Sequence, residues 1–397
     1  MTIERPTSNN DTETLKTYRA QLELFLRERG WERRDCSRCE RQYYAKGVSQ
    51  NCGDSTCCGS FEFLQDVRRE RSLTLPGLEI VVRNHFENAG FELHPPKSIL
   101  NEGGTTLFTS AGVQLLDDWV LKDANPPRRP LYVSQPSVRT QHLDSIGEGN
   151  SLSFVNICTE VANATPETHF VNLDHWLDCL SRLGLYVGDI TLHERRLIQQ
   201  WGDVTLKSEI IAIFYKGLEI GDGNYNYGFT PQASNATFIS DFGFGLERLA
   251  WILRKGSYFD GVGPLSESLK GNSVLQELIK TLTLLSSYGL EPSNKDRGYR
   301  FRLFAKKLVA LTFPEHCVVF PLASYYYNYW KNFADLLIQQ DLVVDIIQRE
   351  YDRNYNQRVN LLLSAKSDPN CPTEEYLLKL LMSRVSRDGI AQILRGN

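Results

Sequence analysis

The residues with the clearest capacity for chemistry lie in the stretch ISDFGFGLERLAWIL, residues 239–253. An acidic side chain, Asp241, precedes Gly243 and Gly245, and Arg248 follows on a segment with helical spacing. One interpretation is structural, because glycines relieve backbone crowding at a strand-to-helix turn. The other is a nucleotide site, where the backbone approaches a ligand closely and an arginine contacts phosphate. The spacing alone favours the structural interpretation.

A cysteine cluster, CSRCERQYYAKGVSQNCGDSTCC, is the second reactive group. Cys36-x2-Cys39 and Cys52-x4-Cys57 form two close pairs, and Cys58 follows directly. Four thiolates in two such pairs can surround zinc as a tetrahedron, and a short loop-rich module would take its folding energy from the metal. The spacing predicts a structural zinc, since four sulfurs leave no open position for catalysis. The alternative is a set of free thiols in a loop.

Composition sets outer bounds on the class of protein. The chain has 397 residues, enough for two or three domains, and 41% of them are apolar. A sequence without a long uncharged apolar run predicts no membrane span, and the polar N-terminal segment MTIERPTSNNDTETLK does not resemble a signal peptide. Nine cysteines, an odd number, argue against a disulfide framework. These features predict a cytoplasmic protein.

Apolar periodicity predicts helices around residues 13–31, 78–91 and 173–185, the last two ending at Gly90 and Gly184. Strands are predicted at residues 105–113, 129–140, 151–162, 208–220 and 236–244. After about Ser266 the pattern is almost wholly helical and includes a final helix at 373–385. Strands interrupted irregularly by helices indicate an α+β fold around a mostly antiparallel sheet.

Four segments, in this order, resemble parts of alanyl-tRNA synthetase: the cysteine cluster, PLYVSQPSVR, ISDFGFGLERLAW and YGLEPSNKDRGYRFR. The archaeal type is the closer match, because it too begins with a zinc module that ends in Cys-Gly-Asp-x-x-Cys. The resemblance covers roughly residues 20–320 and implies a class II synthetase-like antiparallel sheet flanked by helices. It divides the chain into an N-terminal helix with a four-cysteine zinc module (1–65), a catalytic domain (66–263) and a helical domain for tRNA recognition (264–397).

The activity that the resemblance implies is ATP-dependent activation of an amino acid, followed by transfer of the acyl group to tRNA. Arg139 matches the arginine that contacts the α-phosphate, and Arg248 matches the arginine at the γ-phosphate end. Gly243 and Gly245 would let the backbone lie against the nucleotide. Asp241 occupies the position whose carboxylate holds the substrate's α-amino group.

The sequence departs from the family in both halves of this site. Asn150 and Ser151 stand where the family has a basic pair, and Asn156 stands where a glutamate contacts adenine. We expect Asn156 to accept a hydrogen bond from the adenine amino group without charge assistance.

The predicted amino-acid pocket also differs from the family's. Val113, Trp201 and Asn224 are its predicted substrate-binding residues, and Asp222 and Asn226 bring further polarity to a strand that is normally apolar. Either the pocket accepts a larger or more polar amino acid than alanine, or the ATP site has decayed. Use of Mg²⁺ stays open, with Glu209 and Glu219 as candidate ligands.

A basic segment, SNKDRGYRFRLFAKKL, is predicted to approach the tRNA acceptor stem through phosphate contacts. Asn294, Arg297 and Arg300 are its candidate tRNA-binding residues, and a solvated basic face is the alternative. The resemblance predicts that the chain lacks the family's editing and C-terminal domains.

Three hypotheses follow from these residues. The first is an enzyme that adenylates an amino acid with ATP, for tRNA or for another acceptor in a specialised pathway. The second is a catalytically inactive paralogue that acts as a tRNA-binding or regulatory module. The third is a small-molecule binder such as an amino-acid sensor.

Overall fold

A computed structural model describes residues 9–49, 51–66, 73–102, 104–122, 124–144, 146–147, 149–229, 236–260, 272–313, 316 and 319–367. The chain forms two compact units. The first unit draws its described residues from 1–97, 111–135 and 155–257, and the second draws them from 98–110, 136–154 and 258–397. The chain therefore passes between the two units several times. The three sequence domains with boundaries at 65 and 263 stay a prediction.

One sheet contains the strands of the described residues. They are β1 (Glu32–Asp35), β2 (Gln42–Ala45), β3 (Glu92–Leu93), β4 (Leu131–Val138), β5 (Ser153–Ala162), β6 (Ile190–Trp201), β7 (Val204–Tyr215), β8 (Leu218–Phe229) and β9 (Ala236–Gly245). Their order across the sheet is β1-β2-β6-β7-β8-β9-β5-β4-β3. All neighbouring strands in the first part of this order, from β1 through β2, β6, β7, β8 and β9 to β5, are antiparallel. The pair β3 and β4 at the other end is parallel. The predicted α+β fold with a mostly antiparallel sheet is confirmed.

The helices of the first unit are α1 (Asn9–Glu28), α2 (Ser55–Cys58), α3 (Leu75–Asn88), α4 (Asp117–Lys122), α5 (Pro166–Arg182) and α6 (Leu246–Arg254). Those of the second unit are α7 (Ser273–Ser287), α8 (Asp296–Thr312), α9 (Phe320–Trp330) and α10 (Gln340–Ser367). The helical character predicted after Ser266 is confirmed as far as residue 367, and the helix predicted at 373–385 lies outside the described residues. Among the described helices, none is long and apolar enough to cross a membrane.

The strand predicted at residues 105–113 is wrong. Residues 104–108 form bends, and a short 3₁₀ helix follows at Gly112–Leu116. Thr109 nevertheless joins the neighbouring backbone through two bonds, because its N–H donates to Ile99 O (2.9 Å) and its carbonyl accepts from Val138 N (2.9 Å). The apolar and β-branched residues that predicted a strand therefore lie in a connecting segment, which these two backbone hydrogen bonds hold in place.

Successive side chains of β9 point to opposite faces of the sheet, and those on one face pack against α5. The rings of Trp176 on α5 and Phe244 on β9 stack with centroids 4.0 Å apart, and His169 on α5 lies 4.8 Å from Phe242. Since successive strand residues point to opposite faces, Asp241 and Gly243 project away from this core.

A buried ion pair organises the second unit. The ammonium group of Lys280 lies 2.8 Å from Glu277 Oε2, and both side chains are fully buried. The other carboxylate oxygen, Glu277 Oε1, accepts from the backbone N–H groups of Leu152 and Ser153, each at 2.8 Å. Removing one member of such a pair typically costs about 3–5 kcal/mol, because it leaves a buried charge. Glu277 therefore anchors the segment 151–153 to α7.

We predict that Phe244→Ala lowers the free energy of unfolding by about 3–5 kcal/mol, because the substitution leaves a cavity under Trp176. Urea denaturation monitored by tryptophan fluorescence and circular dichroism measures this loss. Val48→Ala is the control, since Val48 is 96% exposed and its truncation should change stability by less than about 0.5 kcal/mol. Equal effects of the two substitutions would contradict the packing described for β9.

Candidate active site

The face of the sheet opposite α5 carries the polar residues of the site. The strand register pairs Glu160 on β5 with Asp241 on β9, and pairs Asp241 with Asn224 on β8. A second row pairs Gly243 with Cys158 on one side and with Asp222 on the other. Directly paired residues point to the same face, so two carboxylates and an amide meet in the first row. The structure thus brings together two predicted substrate-binding residues, Asp241 and Asn224.

Glu160 is a site residue that the sequence did not reveal. Its side chain is buried and, apart from the carboxyl group of Asp241, no donor group of the described residues binds its carboxylate oxygens. Burial raises the pKa of Glu160 well above its ordinary value, and the charge of Asp241 and a hydrogen bond shared with it raise that pKa further. Burial and the neighbouring carboxylate therefore both favour the protonated form of Glu160.

Gly112 covers this part of the sheet closely. A Cβ atom on Gly112 would lie 2.4 Å from Cys158 Sγ and 3.1 Å from Glu160 Oε1, distances that leave no room for a side chain. The N–H of Gly112 donates to Asn156 Oδ1 at 3.4 Å, and the Cys158 thiol donates to the same oxygen. The amide of Asn156 also approaches Gly243, where a Cβ would lie 3.1 Å from its Oδ1. The Asn156 side chain therefore lies against Gly243.

The turn from β9 into α6 positions the predicted nucleotide-binding arginine. Arg248 lies in the first turn of α6, and its aliphatic carbons lie 3.6 Å from where a Cβ on Gly245 would be. Its Nη1 donates to the backbone carbonyl of Glu219 at 2.7 Å. The neighbouring Glu247 is buried and accepts from Val155 N at 3.0 and 3.1 Å. Thus Glu247, a second residue that the sequence did not reveal, holds the start of β5 beside the turn.

An apolar cluster borders the polar face. Ile239 lies two residues before Asp241, on the same face of β9, and packs in one cluster with Trp201 and Leu206. Val113, in the 3₁₀ helix, packs against the same cluster. The two apolar residues predicted to bind substrate, Val113 and Trp201, therefore belong to one apolar cluster with Ile239.

The four predicted zinc ligands come together. The sulfur atoms of Cys36, Cys39, Cys52 and Cys57 all lie within 4.8 Å of one another. The Cys36–Cys57 and Cys39–Cys52 sulfur distances are 3.7 and 3.8 Å. Zn–S bonds of about 2.3 Å in a tetrahedron require sulfur–sulfur distances of about 3.8 Å, so the donor set fits zinc.

Hydrogen bonds connect the cysteine module to β6. The carbonyl oxygen of Cys52 accepts from Thr191 Oγ1 at 2.7 Å and from His193 Nε2 at 2.6 Å. His193 continues the second polar row, since it pairs with Ala212, which pairs with Asp222. The module and the site residues therefore share one face of the first unit's sheet.

The carboxylates considered for Mg²⁺ are bound by arginines. Arg196 Nε lies 2.8 Å from Glu209 Oε1, and Arg195 contacts both oxygens of Glu219 at 3.1 Å. Glu209 pairs in register with Tyr225, which packs on the helices, so it lies on the opposite face from Asp241. The structure thus separates Glu209 from the residues around Asp241.

Arg139 belongs to the second unit. Its Nε donates to Ser110 O at 3.1 Å, and its guanidinium carbon lies 4.8 Å from the centre of the Phe154 ring. Its backbone N–H donates to Leu152 O at 2.7 Å. Because Glu277 binds the N–H of Leu152, the buried ion pair supports the backbone beside Arg139.

Asn150 and Ser151, which are predicted to stand in place of a basic pair, make local contacts within the second unit. Asn150 exchanges two backbone hydrogen bonds with Gly147, at 2.9 and 3.1 Å. The Ser151 hydroxyl lies 2.6 Å from the Tyr258 hydroxyl. Both residues therefore stabilise the turn that carries them.

The predicted tRNA-binding residues lie at the start of α8. Arg297 donates to the backbone carbonyls of Leu107 (2.5 Å) and Asn101 (3.0 Å), so it supports the fold of its own unit. Asn294 Oδ1 accepts from Arg302. Arg300 is half-buried on the same helix. Part of the predicted basic face is therefore engaged in contacts within the second unit.

Together these features define an α+β protein with an acidic polar site on one sheet face and a four-cysteine module beside it. The chain is similar to the alanine–tRNA ligase of Sulfurisphaera tokodaii, with 24% identity over 429 residues, 87% of this chain and 46% of the relative. It is also similar to the Korarchaeum cryptofilum alanine–tRNA ligase, with 24% identity over 83% of this chain and 44% of the relative. The chain thus spans less than half the length of either relative. It is a homologue of archaeal alanine–tRNA ligases, as the sequence segments predicted.

Other comparisons add less. No protein-family model matches the chain. A solved pyrrolysyl-tRNA synthetase, PylSc of Desulfitobacterium hafniense, aligns with 48% of this chain and 70% of its own at a TM-score of 0.30 and 16% identity. That similarity is too weak to support an argument about the site.

We predict that the folded protein loses stability as pH rises above about 4.5, the ordinary pKa of Glu160, toward its raised folded-state pKa. In this window the folded state retains a proton that the unfolded chain releases, so higher pH favours unfolding. Glu160→Gln removes this titration and should flatten the decline. Urea denaturation across the range from mildly acidic to mildly alkaline buffer measures it, with the exposed Glu87→Gln as control. Parallel pH curves for wild type and Glu160→Gln would contradict the raised pKa of Glu160.

Proposed function

We propose that this chain adenylates an amino acid with ATP and passes the acyl group to tRNA or another acceptor. The observation that carries this proposal is the acidic site around Asp241, on the strand that leads into the Arg248 helix, in a homologue of alanine–tRNA ligases. A class II synthetase fold agrees with the mostly antiparallel sheet and its helices. In the proposed reaction, a carboxylate oxygen of the amino acid attacks the α-phosphorus, and pyrophosphate leaves.

In this proposal each residue acts by charge and position. Asp241 binds the substrate's α-ammonium group, and Val113 and Trp201 form the apolar wall beside it. Arg248 binds the γ-phosphate end of ATP, with Gly243 and Gly245 beneath the nucleotide, and Arg139 binds the α-phosphate. No covalent nucleophile is required, because the reaction is catalysed by alignment and by cations placed where negative charge develops.

For the acceptor, we propose the tRNA acceptor stem, contacted through the start of α8. Arg300 and Asn294 are the candidates there, whereas Arg297 acts indirectly by holding the backbone of Asn101 and Leu107. Phosphate contacts of this kind are sensitive to salt and carry little base specificity.

For the cysteine module, we propose a structural zinc bound by Cys36, Cys39, Cys52 and Cys57. Four sulfur ligands complete a tetrahedron, so the ion would supply folding energy and no open coordination position. Through Thr191 and His193, the folded module would stabilise the β6 end of the polar face.

The second candidate is a catalytically inactive paralogue that binds an amino acid or tRNA. The observation that favours it is the engagement of Asn156, whose carbonyl accepts from Gly112 and Cys158 where the resemblance implies an adenine contact. The neutral residues Asn150 and Ser151 in place of a basic pair point the same way. A single assay separates the two candidates.

We predict amino-acid-dependent ATP–pyrophosphate exchange when the proteinogenic amino acids and related non-proteinogenic ones are screened. Asp241→Ala and Arg139→Ala should each reduce the exchange rate by about 10²-fold or more, because each removes a charge needed for binding or for the transition state. Asp118→Asn is the control, since the Asp118 side chain is 68% exposed beside Lys122. Folded protein that exchanges pyrophosphate with none of these amino acids would favour the inactive paralogue.

We predict that the purified protein contains about one zinc ion per chain by elemental analysis. Cys36→Ser and Cys57→Ser should lose the metal and melt at a lower temperature. Cys58→Ser is a matched control, because that neighbouring thiol donates to Asn51 Oδ1 (3.1 Å) and lies outside the four-sulfur group. Equal zinc content in all three variants would refute the assigned ligand set.

A further inference from the structure

The outer edge of β6 is covered along a short part of its length. On its inner side, β6 pairs with β7 from Ile190 to Trp201. On its outer side, β2 pairs with it at Thr191 and Leu192. Among the strands of the described chain, residues 194–200 therefore have a neighbour on one side only. A free strand edge presents backbone N–H and C=O groups that can bind another strand.

The same stretch is exposed on both faces of the sheet. Leu197 and Ile198 are 49% and 57% exposed, and as successive strand residues they point to opposite faces. Arg195 and Arg196 beside them are exposed as well. A helix or a flat surface docked here would cover one of the two apolar side chains. A strand added to the edge would place neighbours beside both, so these residues favour pairing with a strand.

The edge lacks the features that usually prevent such pairing. Natural edge strands are kept apart by lysine or proline residues, by bulges or by short length. β6 has twelve residues, and its sequence ITLHERRLIQQW contains no lysine, proline or glycine. Its register against β7 also runs without a shift from end to end, so the strand carries no bulge. β6 is therefore a long, regular edge.

The charges on β6 are compensated from within the sheet. Arg196 Nε lies 2.8 Å from Glu209 Oε1, and Arg195 donates to both carboxylate oxygens of Glu219 at 3.1 Å. Both guanidinium groups thus reach back across the sheet, toward β7 and β8. Because each arginine already has a carboxylate partner, a strongly charged strand would gain little at this edge, and a second copy of β6 would not be repelled.

The free stretch suits antiparallel pairing with its own copy. Directly opposite residues point to the same face, so a two-fold axis between identical strands must pass through a residue that faces itself. Leu197 is the midpoint of residues 194–200. With the axis there, Arg196 faces Ile198 and Arg195 faces Gln199, so no like charges are opposed. An axis at Arg196 would instead place two arginines opposite each other.

We infer that the free edge of β6 is a dimer interface, in which two copies of this chain pair antiparallel about a two-fold axis at Leu197. The nine-stranded sheets would then continue into one another, with their two polar faces on the same side. This inference is independent of the proposed function, because the pairing uses none of the residues proposed to bind amino acid, ATP or tRNA.

The test is sedimentation equilibrium of the full chain over a series of micromolar concentrations. We expect a mass that rises with concentration toward twice 45.4 kDa. Leu197→Glu and Leu197→Lys each bring two like charges together at the axis, so each should weaken dimerisation by about 10-fold or more. An equal mixture of these two variants should restore the dimer, because opposite charges then meet. Val48→Glu is the control, since Val48 is 96% exposed and lies outside β6.

Three results would overturn the inference. They are a wild-type chain that stays monomeric at all concentrations, a dimer that persists unchanged in folded Leu197→Glu, and a mixture of the Glu and Lys variants that stays monomeric. Circular dichroism and thermal melting establish that each variant is folded. Leu197→Val is the conservative variant, because it keeps an apolar side chain at the axis and should retain the dimer.

Discussion

The alternation of side chains along β9 is the constraint that governs the rest of the first unit. Phe242 and Phe244 pack on α5, and this burial fixes the strand's register. A shift by one residue would move both rings onto the opposite face and expose them to the polar row. With the rings held against the helix, Asp241 and the two glycines must lie on the other face. The packing of Phe242 and Phe244 therefore determines which face of the sheet carries Asp241, Gly243 and Gly245.

Hydrogen bonds at several points along the strands hold this polar face in position. Glu247 binds the backbone of Val155 at the start of β5, and the Cys52 carbonyl binds two side chains of β6. In the second unit, the buried Glu277–Lys280 pair performs a similar task for the backbone beside Arg139. Buried carboxylates thus accept from backbone N–H groups in both units, which is a stable use of charge in a low-dielectric interior.

The predicted departures from the resemblance lie in residues that are proposed to contact ligands. Asn156 and Asn224 are predicted to differ in type from the residues that the resemblance implies, and the structure places Glu160 beside Asp241. The residues that hold the neighbouring backbone in place make the same kinds of contact as in any strand-to-helix turn. A scaffold of this kind can change its ligand while the sheet and its helices remain the same.

Residue spacing and periodicity were enough to predict the cysteine pairs, the strand-to-helix turn between Asp241 and Arg248, most of the helices and the mostly antiparallel sheet, because all of these are local patterns. The same patterns predicted a strand at 105–113 that is a bend and a 3₁₀ helix, and they did not reveal β6 or Glu160. Three contacts emerged from the folded chain instead: Glu160 lies beside Asp241, Asn156 lies against Gly243, and Arg297 binds backbone carbonyls. Each joins residues distant in the chain, so long-range packing sets their partners and their burial.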